Sequence, residues 1–451
     1  MINVGYSKKN INPPIGMPIA GSYFYKESRG VLDDLYTRAI AFSDGECGAV
    51  IIAVDVCYLS GAVYSAVKER VAKENGISKE AIIITCSHTH AGPEVSNKTT
   101  EENPFGYISE LINNMCLAAK DAFSDLHPAK LSTAHGKAEG VAFMRRYMMK
   151  DGSVVTNPPL GDPNIDHPIG EQNESVNLLK IEREGAKDIY VVNFGTHACM
   201  VGGYYTSADF PGVLTEVLER AIDDIDCVFI TAPQGNSNHI NINPSAEELW
   251  IRDEDLRTDS KKRLRAHKLG EALAGEVLKI HRLAKEINSD KILFATREIL
   301  VPTNKNNDEY DEAMKIKELH DAGRSKELPY KDMALTTVIA RALRIVNMKD
   351  EPDYYSFLIS AILIGDFVFV GLPGEPFVEI GNRVLAASPF GETMVAALTN
   401  GITYFPTSED LRLGGYEAVS SKIGIGTDDV IVNGMKEIYK ALAEKKESLQ
   451  P

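Results

Sequence analysis

The sequence predicts a mixed α/β fold in which central β-sheets are flanked by helices. Short apolar runs bounded by turn residues alternate with longer segments that carry apolar residues at helical spacing. This alternation continues along the 451 residues, and no internal repeat, low-complexity tract or Gly/Ser linker interrupts it. The hydrophobic fraction of 44% and the charged fraction of 25% are ordinary for a globular protein. We therefore expect one large domain over residues 1–451, or two closely packed lobes within it.

Short apolar runs predict the strands of these sheets. Residues 39–42 and 49–56 are expected to pair as a hairpin around Ser43-Asp44-Gly45. Residues 357–372 predict a second hairpin with a tight turn at Gly365-Asp366. The other predicted strands are residues 81–85, 188–193, 227–231 and 394–398. The pattern does not give the order of the strands.

Longer segments with apolar residues at helical spacing predict the helices. Asp209 is expected to cap a helix that begins near Pro211. The remaining predicted helices are residues 63–74, 108–123, 261–287 and 428–447. Residues 304–335 are polar and charged, and they predict an excursion or lobe with helical content.

Charge and composition exclude several classes of partner. A formal net charge of -16 disfavours nucleic acid and an anionic membrane surface, since both attract clustered Lys and Arg. The N-terminal segment has no apolar signal region, and no apolar run reaches the length of a membrane span. Six cysteines occur without a CxxC pair, so we expect reduced thiols. The expected location is the cytoplasm and the expected partner is a small molecule; the sequence gives no oligomeric state.

The strongest local motif is Ser87-His88-Thr89-His90-Ala91-Gly92-Pro93, which follows a predicted buried strand. On an extended segment, side chains at i and i+2 share a face, so both imidazoles can enter one pocket. Imidazole is a common ligand of zinc. The same pair is also typical of hydrogen-bonded loop histidines, and HxH alone does not name a reaction.

Two further strand ends carry residues that can bind a metal. His197 ends Asn193-Phe194-Gly195-Thr196-His197, and Glu375 lies in the turn Gly371-Leu372-Pro373-Gly374-Glu375-Pro376. Each has an ordinary structural alternative, as a core histidine or as an acid in the first turn of a helix. Asp209 is either a helix cap or a group that orients a ligand histidine.

Together, two histidines and a glutamate at strand ends match the three protein ligands of a catalytic zinc site. HExxH, GxSxG, P-loop and GxGxxG motifs are absent from the sequence. Two tyrosines, Tyr404 and Tyr416, bracket a loop rich in Ser, Asp and Gly. They have an ordinary structural alternative, as amphipathic residues whose hydroxyls are hydrogen-bonded.

The chain resembles the neutral/alkaline non-lysosomal ceramidase family, specifically its N-terminal catalytic domain. The resemblance runs in order along nearly the whole chain and predicts a ceramidase-like catalytic domain. Its segments are Asn12-Pro13-Pro14, Leu35-Tyr36-Thr37-Arg38-Ala39, the HTH loop from Ser87 to Pro93, Gly195-Thr196-His197, Ser207-Ala208-Asp209-Phe210-Pro211-Gly212, Pro373-Gly374-Glu375, Tyr404 and Tyr416.

The resemblance implies a zinc site and the residues around it. The implied Zn²⁺ ligands are His88, His197, Glu375 and Tyr404. His90 is implied to lie beside the reacting group, and Tyr416 to bond the substrate carbonyl or the tetrahedral intermediate. Either Arg145 or Arg146 corresponds to the family's active-site arginine; the sequence leaves the choice open.

Two departures from the family predict a substrate other than ceramide. Ceramidases carry a serine in a Gly-Asp-x-Ser-Pro loop, where this chain reads Gly235-Asn236-Ser237-Asn238-His239. Asn238 falls on the serine's position, and Ser237 is one residue away. In addition, little sequence follows Tyr416, so we expect no immunoglobulin-like C-terminal domain of the ceramidase kind.

We therefore expect a zinc-dependent hydrolase of amidase or esterase type, acting through zinc-activated water on a small polar substrate. A cyclic amide or a lactone is included in that expectation. His90 would transfer protons, Tyr416 and Asn238 would donate to the oxyanion, and Arg145 or Arg146 would hold the substrate. The alternatives are a metal-dependent lyase, isomerase or epimerase on the same scaffold, and a non-catalytic binding protein.

Overall fold

Two β-sheets lie at the centre of the structure, a computed structural model that describes residues 2–95, 106–256, 263–305 and 309–449. The strands are β1 (Ile2–Asn10), β2 (Gly30–Val31), β3 (Tyr36–Ser43), β4 (Gly48–Val54), β5 (Ile82–Cys86), β6 (His127–Lys137), β7 (Phe143–Met144), β8 (Arg146–Met149), β9 (Val154–Thr156), β10 (Ile165–Pro168), β11 (Ser175–Arg183), β12 (Asp188–Phe194), β13 (Tyr205–Thr206), β14 (Ile225–Thr231), β15 (Ser237–Asn238), β16 (Lys285–Glu286), β17 (Ile292–Pro302), β18 (Tyr354–Ile364), β19 (Phe367–Gly371), β20 (Glu375–Pro376), β21 (Glu392–Ala396) and β22 (Tyr404–Phe405).

Helices cover both outer faces of this pair of sheets. They are α1 (Gly61–Asn75), α2 (Tyr107–Ser124), α3 (Asp209–Ala221), α4 (Ala246–Leu256), α5 (Leu264–Ile280), α6 (Tyr310–Asp321), α7 (Asp332–Asn347), α8 (Val378–Ala386), α9 (Ser408–Leu413), α10 (Tyr416–Ser420) and α11 (Thr427–Ser448). Among the described residues, no helix combines the length and the apolar composition that a bilayer crossing requires.

The larger sheet has the strand order β14-β12-β11-β6-β1-β3-β4-β5, with β16 paired to β6. Its outermost pairs, β12 with β14 and β4 with β5, are parallel, and the pairs between them are antiparallel. The smaller sheet has the order β17-β18-β19-β21, with β19 and β21 parallel. The strands β5, β12, β14 and β19 each belong to a parallel pair.

The larger sheet curls so that the two ends of its strand order approach each other. The hydroxyl of Thr231, at the end of β14, donates to the carbonyl of Cys86, at the end of β5, at 2.9 Å. Ala397, just after β21, accepts from the Thr85 hydroxyl at 2.8 Å and donates to the Thr231 carbonyl at 2.8 Å. These bonds bring the carboxyl ends of three separate strands together.

The buried residues show four layers, helices–sheet–sheet–helices. Along β3, Ala39 and Ala41 pack with α1 and α2, whereas Ile40 and Phe42 pack between the two sheets with Phe369 and its neighbours. Successive strand residues point to opposite faces, so a strand covered on both faces is apolar throughout. A third cluster joins α3 and α5 to the larger sheet, and a fourth joins α8 and α11 to the smaller one.

The structure agrees with the predicted mixed α/β class and with most predicted elements. Both hairpins form: β3 pairs with β4, and β18 pairs with β19 around Gly365, whose φ of 61° suits the tight turn. The predicted helix over residues 261–287 is too long, because α5 ends at Ile280 and the chain continues as a 3-10 turn and β16. Part of that prediction, residues 261–262, lies outside the described residues.

The polar segment predicted over residues 304–335 contains α6 and the start of α7. Residues 306–308 of that segment lie outside the described residues. The two helices pack on each other through a small apolar cluster of Ala313, Ala342 and Ile345.

Asn193 is expected to stabilise the contact between the two sheets. Its buried amide donates to the carbonyl of Ile230 in the larger sheet at 3.0 Å and to that of Val395 in the smaller sheet at 3.1 Å. Asn193→Ala leaves both carbonyls without this donor, so we expect a loss of about 2 kcal/mol in the free energy of unfolding by urea. The exposed Asn382→Ala is the control, with an expected change within about 0.5 kcal/mol. Equal urea midpoints for both variants would contradict this role.

Candidate metal centre

Three strand ends position the residues that the sequence predicts as metal ligands. His88 follows β5, His197 follows β12, and Glu375 opens β20 shortly after β19. His88 has a φ of 63°, a left-handed conformation that is rare for a residue with a side chain and that concentrates at functional positions. Gly374 precedes Glu375 with a φ of 51°, and a Cβ there would collide with the carbonyl of Thr403.

The side chains of His88, His197 and Glu375 meet in the interior. The Nε2 atoms of His88 and His197 lie 3.2 Å and 3.0 Å from the Glu375 Oε2 atom. Only 2%, 0% and 8% of the three residues is exposed, so water screens this contact little. Donor atoms about 2.05 Å from a tetrahedral zinc ion lie roughly 3.3 Å from one another, so the spacing fits one ion.

Backbone carbonyls fix which nitrogen of each imidazole faces the centre. His88 Nδ1 lies 2.9 Å from the Cys57 carbonyl, and His197 Nδ1 lies 2.8 Å from that of Ser237 and 3.1 Å from that of Gln234. A carbonyl can only accept, so Nδ1 carries the proton and Nε2 presents a lone pair. A metal-binding imidazole usually has this arrangement.

The three converging atoms are all acceptors. Burial, and then the charge of Arg145, lower the pKa of His197 to about 4, so its imidazole is neutral at neutral pH. An ionised Glu375 carboxylate likewise offers only lone pairs. Within the described parts of the chain, His197 Nε2 and Glu375 Oε2 have no hydrogen-bond partner. Buried acceptors without a donor are costly, and a bound cation would satisfy them. The residues present therefore fit a divalent metal ion.

A second group of possible ligands shares His88 and adds Cys57 and His90. The thiol of Cys57 lies 3.7 Å from His88 Nδ1, on the side away from Glu375, and burial raises its pKa well above the ordinary value. Metals bind the thiolate rather than the thiol. The group of His88, His197 and Glu375 is therefore the better metal site.

His90 lies at the edge of the centre. Its Nδ1 lies 2.9 Å from the Gly21 carbonyl, which leaves Nε2 as an acceptor 3.3 Å from His88 Nε2. Burial, together with His88 and His197, lowers its pKa well below the ordinary value. Gly21 has a φ of 80°, and a Cβ there would collide with the His90 ring. The N-terminal loop thus holds His90 through a residue that must be glycine.

Tyr404 lies beside the centre because β20 and β22 pair in parallel, with Glu375 and Tyr404 as register partners. The Tyr404 ring stacks on His197, with ring centroids 6.3 Å apart and planes at 28°. Tyr416 packs edge-on against Tyr404 at 5.8 Å and against Tyr23 at 6.5 Å. Tyr23 therefore belongs to the same cluster of rings as Tyr404 and Tyr416. The sequence carried no motif that could have identified Tyr23.

The two candidate arginines point to different surroundings. Arg145 lies over the Tyr404 ring at 5.3 Å, contacts Glu417 Oε1 at 2.7 Å and donates to the Gly235 carbonyl at 2.6 Å. Arg146 also lies near Glu417, at 3.6 Å, but it bonds Asp410, donates to the Gly414 carbonyl at 2.6 Å and lies over the ring of Phe377 rather than that of Tyr404. Arg145 is therefore the arginine that faces the candidate site.

Asn238 and Ser237 lie on β15, where neighbouring side chains point in opposite directions. The Asn238 amide donates to Asn157 Oδ1 at 2.7 Å, and its Oδ1 accepts from the Ile240 amide at 2.9 Å. The Ser237 hydroxyl lies 3.4 Å from the Gly195 carbonyl, while its own carbonyl holds His197. Both side chains are buried and already have partners.

Asp209 supports the loop after His197. The cap of α3 is Ala208, not Asp209. The buried Asp209 carboxylate accepts from the backbone amides of Met200 and Val201, each at 2.8 Å, rather than from the imidazole of His197. The Asp209 carboxylate also accepts from the Phe210 amide at 2.7 Å, so it does bond one amide at the start of α3, whereas it does not bond His197. Its contribution is to fix the backbone three and four residues beyond His197.

We expect His197→Ala to lose most of its bound metal, because the substitution removes one of few ligands and leaves Glu375 without a second imidazole. Elemental analysis of protein purified without chelator measures the metal content. His135→Ala is the matched control, since His135 pairs with Glu392 at 53% side-chain exposure. Full occupancy in His197→Ala would exclude the assignment.

Known proteins are similar to this chain in sequence and in fold. No protein-family model matches the chain. It is 24% identical over 215 residues to the neutral ceramidase of Mycobacterium tuberculosis (strain ATCC 25618 / H37Rv). That alignment covers 45% of this chain and 33% of the relative, so the match spans about a third of the relative's length.

Solved structures match over nearly the whole chain. The crystal structure of neutral ceramidase from Pseudomonas aeruginosa superposes with a TM-score of 0.73 at 15% identity, covering 98% of this chain and 75% of that one. A ceramidase complexed with C2 superposes with a TM-score of 0.71 at 14% identity and the same coverage. The chain therefore has the fold of neutral ceramidase, and part of its sequence is similar to that of one neutral ceramidase.

Proposed function

We propose that this protein is a zinc-dependent hydrolase that cleaves an amide or ester bond, including a cyclic amide or lactone, in a small polar substrate. The observation that carries the proposal is the approach of His88 Nε2 and His197 Nε2 to within 3.2 Å and 3.0 Å of Glu375 Oε2. Among the described residues, neither His197 Nε2 nor Glu375 Oε2 has a hydrogen-bond partner. The homology to neutral ceramidase and the shared fold support hydrolysis as the reaction class.

His88, His197 and Glu375 would hold the ion, with Tyr404 as the fourth ligand. Bound zinc would polarise the scissile carbonyl and lower the pKa of water. Arg145 would set the position of Tyr404, because its guanidinium is already engaged by Glu417, Gly235 and the Tyr404 ring. We therefore propose this positioning role for Arg145 in place of the expectation that Arg145 or Arg146 holds the substrate.

His90 and Tyr416 would act on the substrate from the partly exposed side of the centre. His90 Nε2 is an acceptor held in place from behind by Gly21, so it is placed to take a proton during attack and return it to the leaving group. The Tyr416 hydroxyl, on a ring packed against Tyr23 and Tyr404, would donate to the carbonyl oxygen as negative charge develops. The Asn238 amide already donates to Asn157, so Asn238 would shape the wall of the candidate site rather than donate to the oxyanion.

His90→Ala is expected to lose roughly two to four orders of magnitude in kcat, as is typical of a deleted acid–base group. Ser237→Ala should keep substantial activity, because the hydroxyl makes only a 3.4 Å contact with the Gly195 carbonyl. Assays on small amides and lactones, with metal content and thermal melting measured in parallel, test both variants. An inactive Ser237→Ala with intact metal and fold would show that this serine is the working residue.

Ceramide is expected to be hydrolysed negligibly. An amide side chain is neither acidic nor nucleophilic, and Asn238 occupies the position that the resemblance assigns to serine. Fatty-acid release from long-chain ceramide in detergent micelles is the measurement, with the best small amide or lactone as positive control. Efficient release of fatty acid from ceramide would overturn the predicted substrate class.

A further inference from the structure

Glu417 lies within a buried cluster of charges beside the candidate metal centre. Its side chain is fully buried, and each carboxylate oxygen faces a different arginine: Oε1 lies 2.7 Å from Arg145 Nε, and Oε2 lies 3.6 Å from Arg146 Nε. The Thr156 hydroxyl also donates to Oε2 at 2.7 Å. A buried carboxylate is costly unless a cation pairs with it, so the two arginines account for its place in the interior.

The two arginines are adjacent in sequence but hold different groups. Arg145 lies over the Tyr404 ring at 5.3 Å, whereas Arg146 bonds the buried Asp410. The pairs Arg145–Glu417 and Arg146–Asp410 are therefore alike in charge and burial. Only the first of them contacts a residue that is predicted to bind the metal.

The contact between Arg145 and Glu417 depends on charge more than on hydrogen-bond geometry. Arg145 Nε and Glu417 Oε1 lie 2.7 Å apart, yet neither atom makes an aligned hydrogen bond within the described residues. The attraction is therefore mainly Coulombic, and water screens it little at a buried position. A neutral side chain of the same shape would lose this attraction.

Helix α10 connects this carboxylate to both tyrosines of the candidate site. The helix begins at Tyr416, so Glu417 directly follows the tyrosine whose ring packs on Tyr404 at 5.8 Å. Just after the helix, the Ser421 hydroxyl donates to the backbone carbonyl of Tyr404 at 2.9 Å. Both ends of α10 are therefore tied to Tyr404, one directly and one through Arg145.

We propose that Glu417 is a positioning residue of the metal centre, which holds Arg145 against Tyr404 and thereby sets the approach of the Tyr404 hydroxyl to the ion. It acts through Arg145 rather than by touching the ion or the substrate. This inference rests on the proposed function, in which Tyr404 is the fourth ligand. It adds the buried carboxylate on which the position of that ligand depends.

Glu417→Gln is expected to weaken Zn²⁺ binding between about tenfold and 100-fold, as is typical when a group that orients a metal ligand is removed. Glutamine keeps the size of the side chain and an oxygen for the Thr156 hydroxyl, but it removes the charge that faces Arg145. Titration of metal-free protein with Zn²⁺ in competition with a chromophoric chelator measures the affinity without any substrate. In a Tyr404→Phe background, Glu417→Gln should cause no further loss, because the hydroxyl that it positions is absent.

Asp410→Asn is the matched control, because it removes the charge of a similarly buried acid from the neighbouring Arg146. Both variants lose one half of a buried ion pair, so both are expected to lower the thermal midpoint. Asp410→Asn should nevertheless leave the Zn²⁺ affinity unchanged. Thr156→Val is the milder variant if Glu417→Gln does not fold. It removes only the donor to Oε2, and it should weaken Zn²⁺ binding by a smaller factor and only while Tyr404 is present.

The outcomes separate this inference from the proposed function. Weaker Zn²⁺ binding in Tyr404→Phe but not in Glu417→Gln would overturn the positioning role and leave the ligand assignment standing. An equal loss in Asp410→Asn, or a further loss when Glu417→Gln is added to Tyr404→Phe, would show that Glu417 supports the fold alone. Unchanged affinity in Tyr404→Phe would instead refute Tyr404 as the fourth ligand, and the inference would fail together with that part of the proposed function.

Discussion

Two buried imidazole nitrogens lie 3.0 Å and 3.2 Å from one buried carboxylate oxygen, and the surroundings of the site are arranged around these three acceptors. Backbone carbonyls of Cys57 and Ser237 hold the Nδ1 protons outward, so neither imidazole can donate into the centre. Without a cation, this arrangement leaves a carboxylate desolvated and unpaired, which is strongly destabilising. A bound divalent ion would satisfy all three acceptors and stabilise the same arrangement.

The curl of the larger sheet makes this meeting possible. β5 and β14 lie at opposite ends of the strand order, yet Thr231 bonds Cys86, and Ala397 of the smaller sheet bonds both strand ends. Two loops then carry the remaining groups. The N-terminal loop supplies Gly21 and Tyr23 to His90 and Tyr416, and the segment with Glu417 holds Arg145 against Tyr404. Elements distant in sequence thus define one site from several sides.

Much of the local structure could be predicted from the sequence because its signals are short-range. Apolar runs and turn residues predicted both hairpins and the helices near residues 63, 108 and 428, and strand-end loops drew attention to His88, His197 and Glu375. Strand order, and therefore the curl that unites these loops, depends on pairing between distant segments and left no local pattern. Arg145 and Arg146 are adjacent in sequence, so only their contacts in the folded chain show which of them faces the site. Glu417 and Tyr23 acquire their positions entirely through tertiary packing.

The most direct test of the central claim is a crystal structure with anomalous diffraction data collected on both sides of the zinc absorption edge. We expect one strong anomalous peak bonded to His88 Nε2, His197 Nε2 and Glu375 Oε2, with the Tyr404 hydroxyl as a fourth ligand. A peak between Cys57 and His90 instead, or His88, His197 and Glu375 joined by direct hydrogen bonds with no peak between them in crystals grown with zinc, would contradict it.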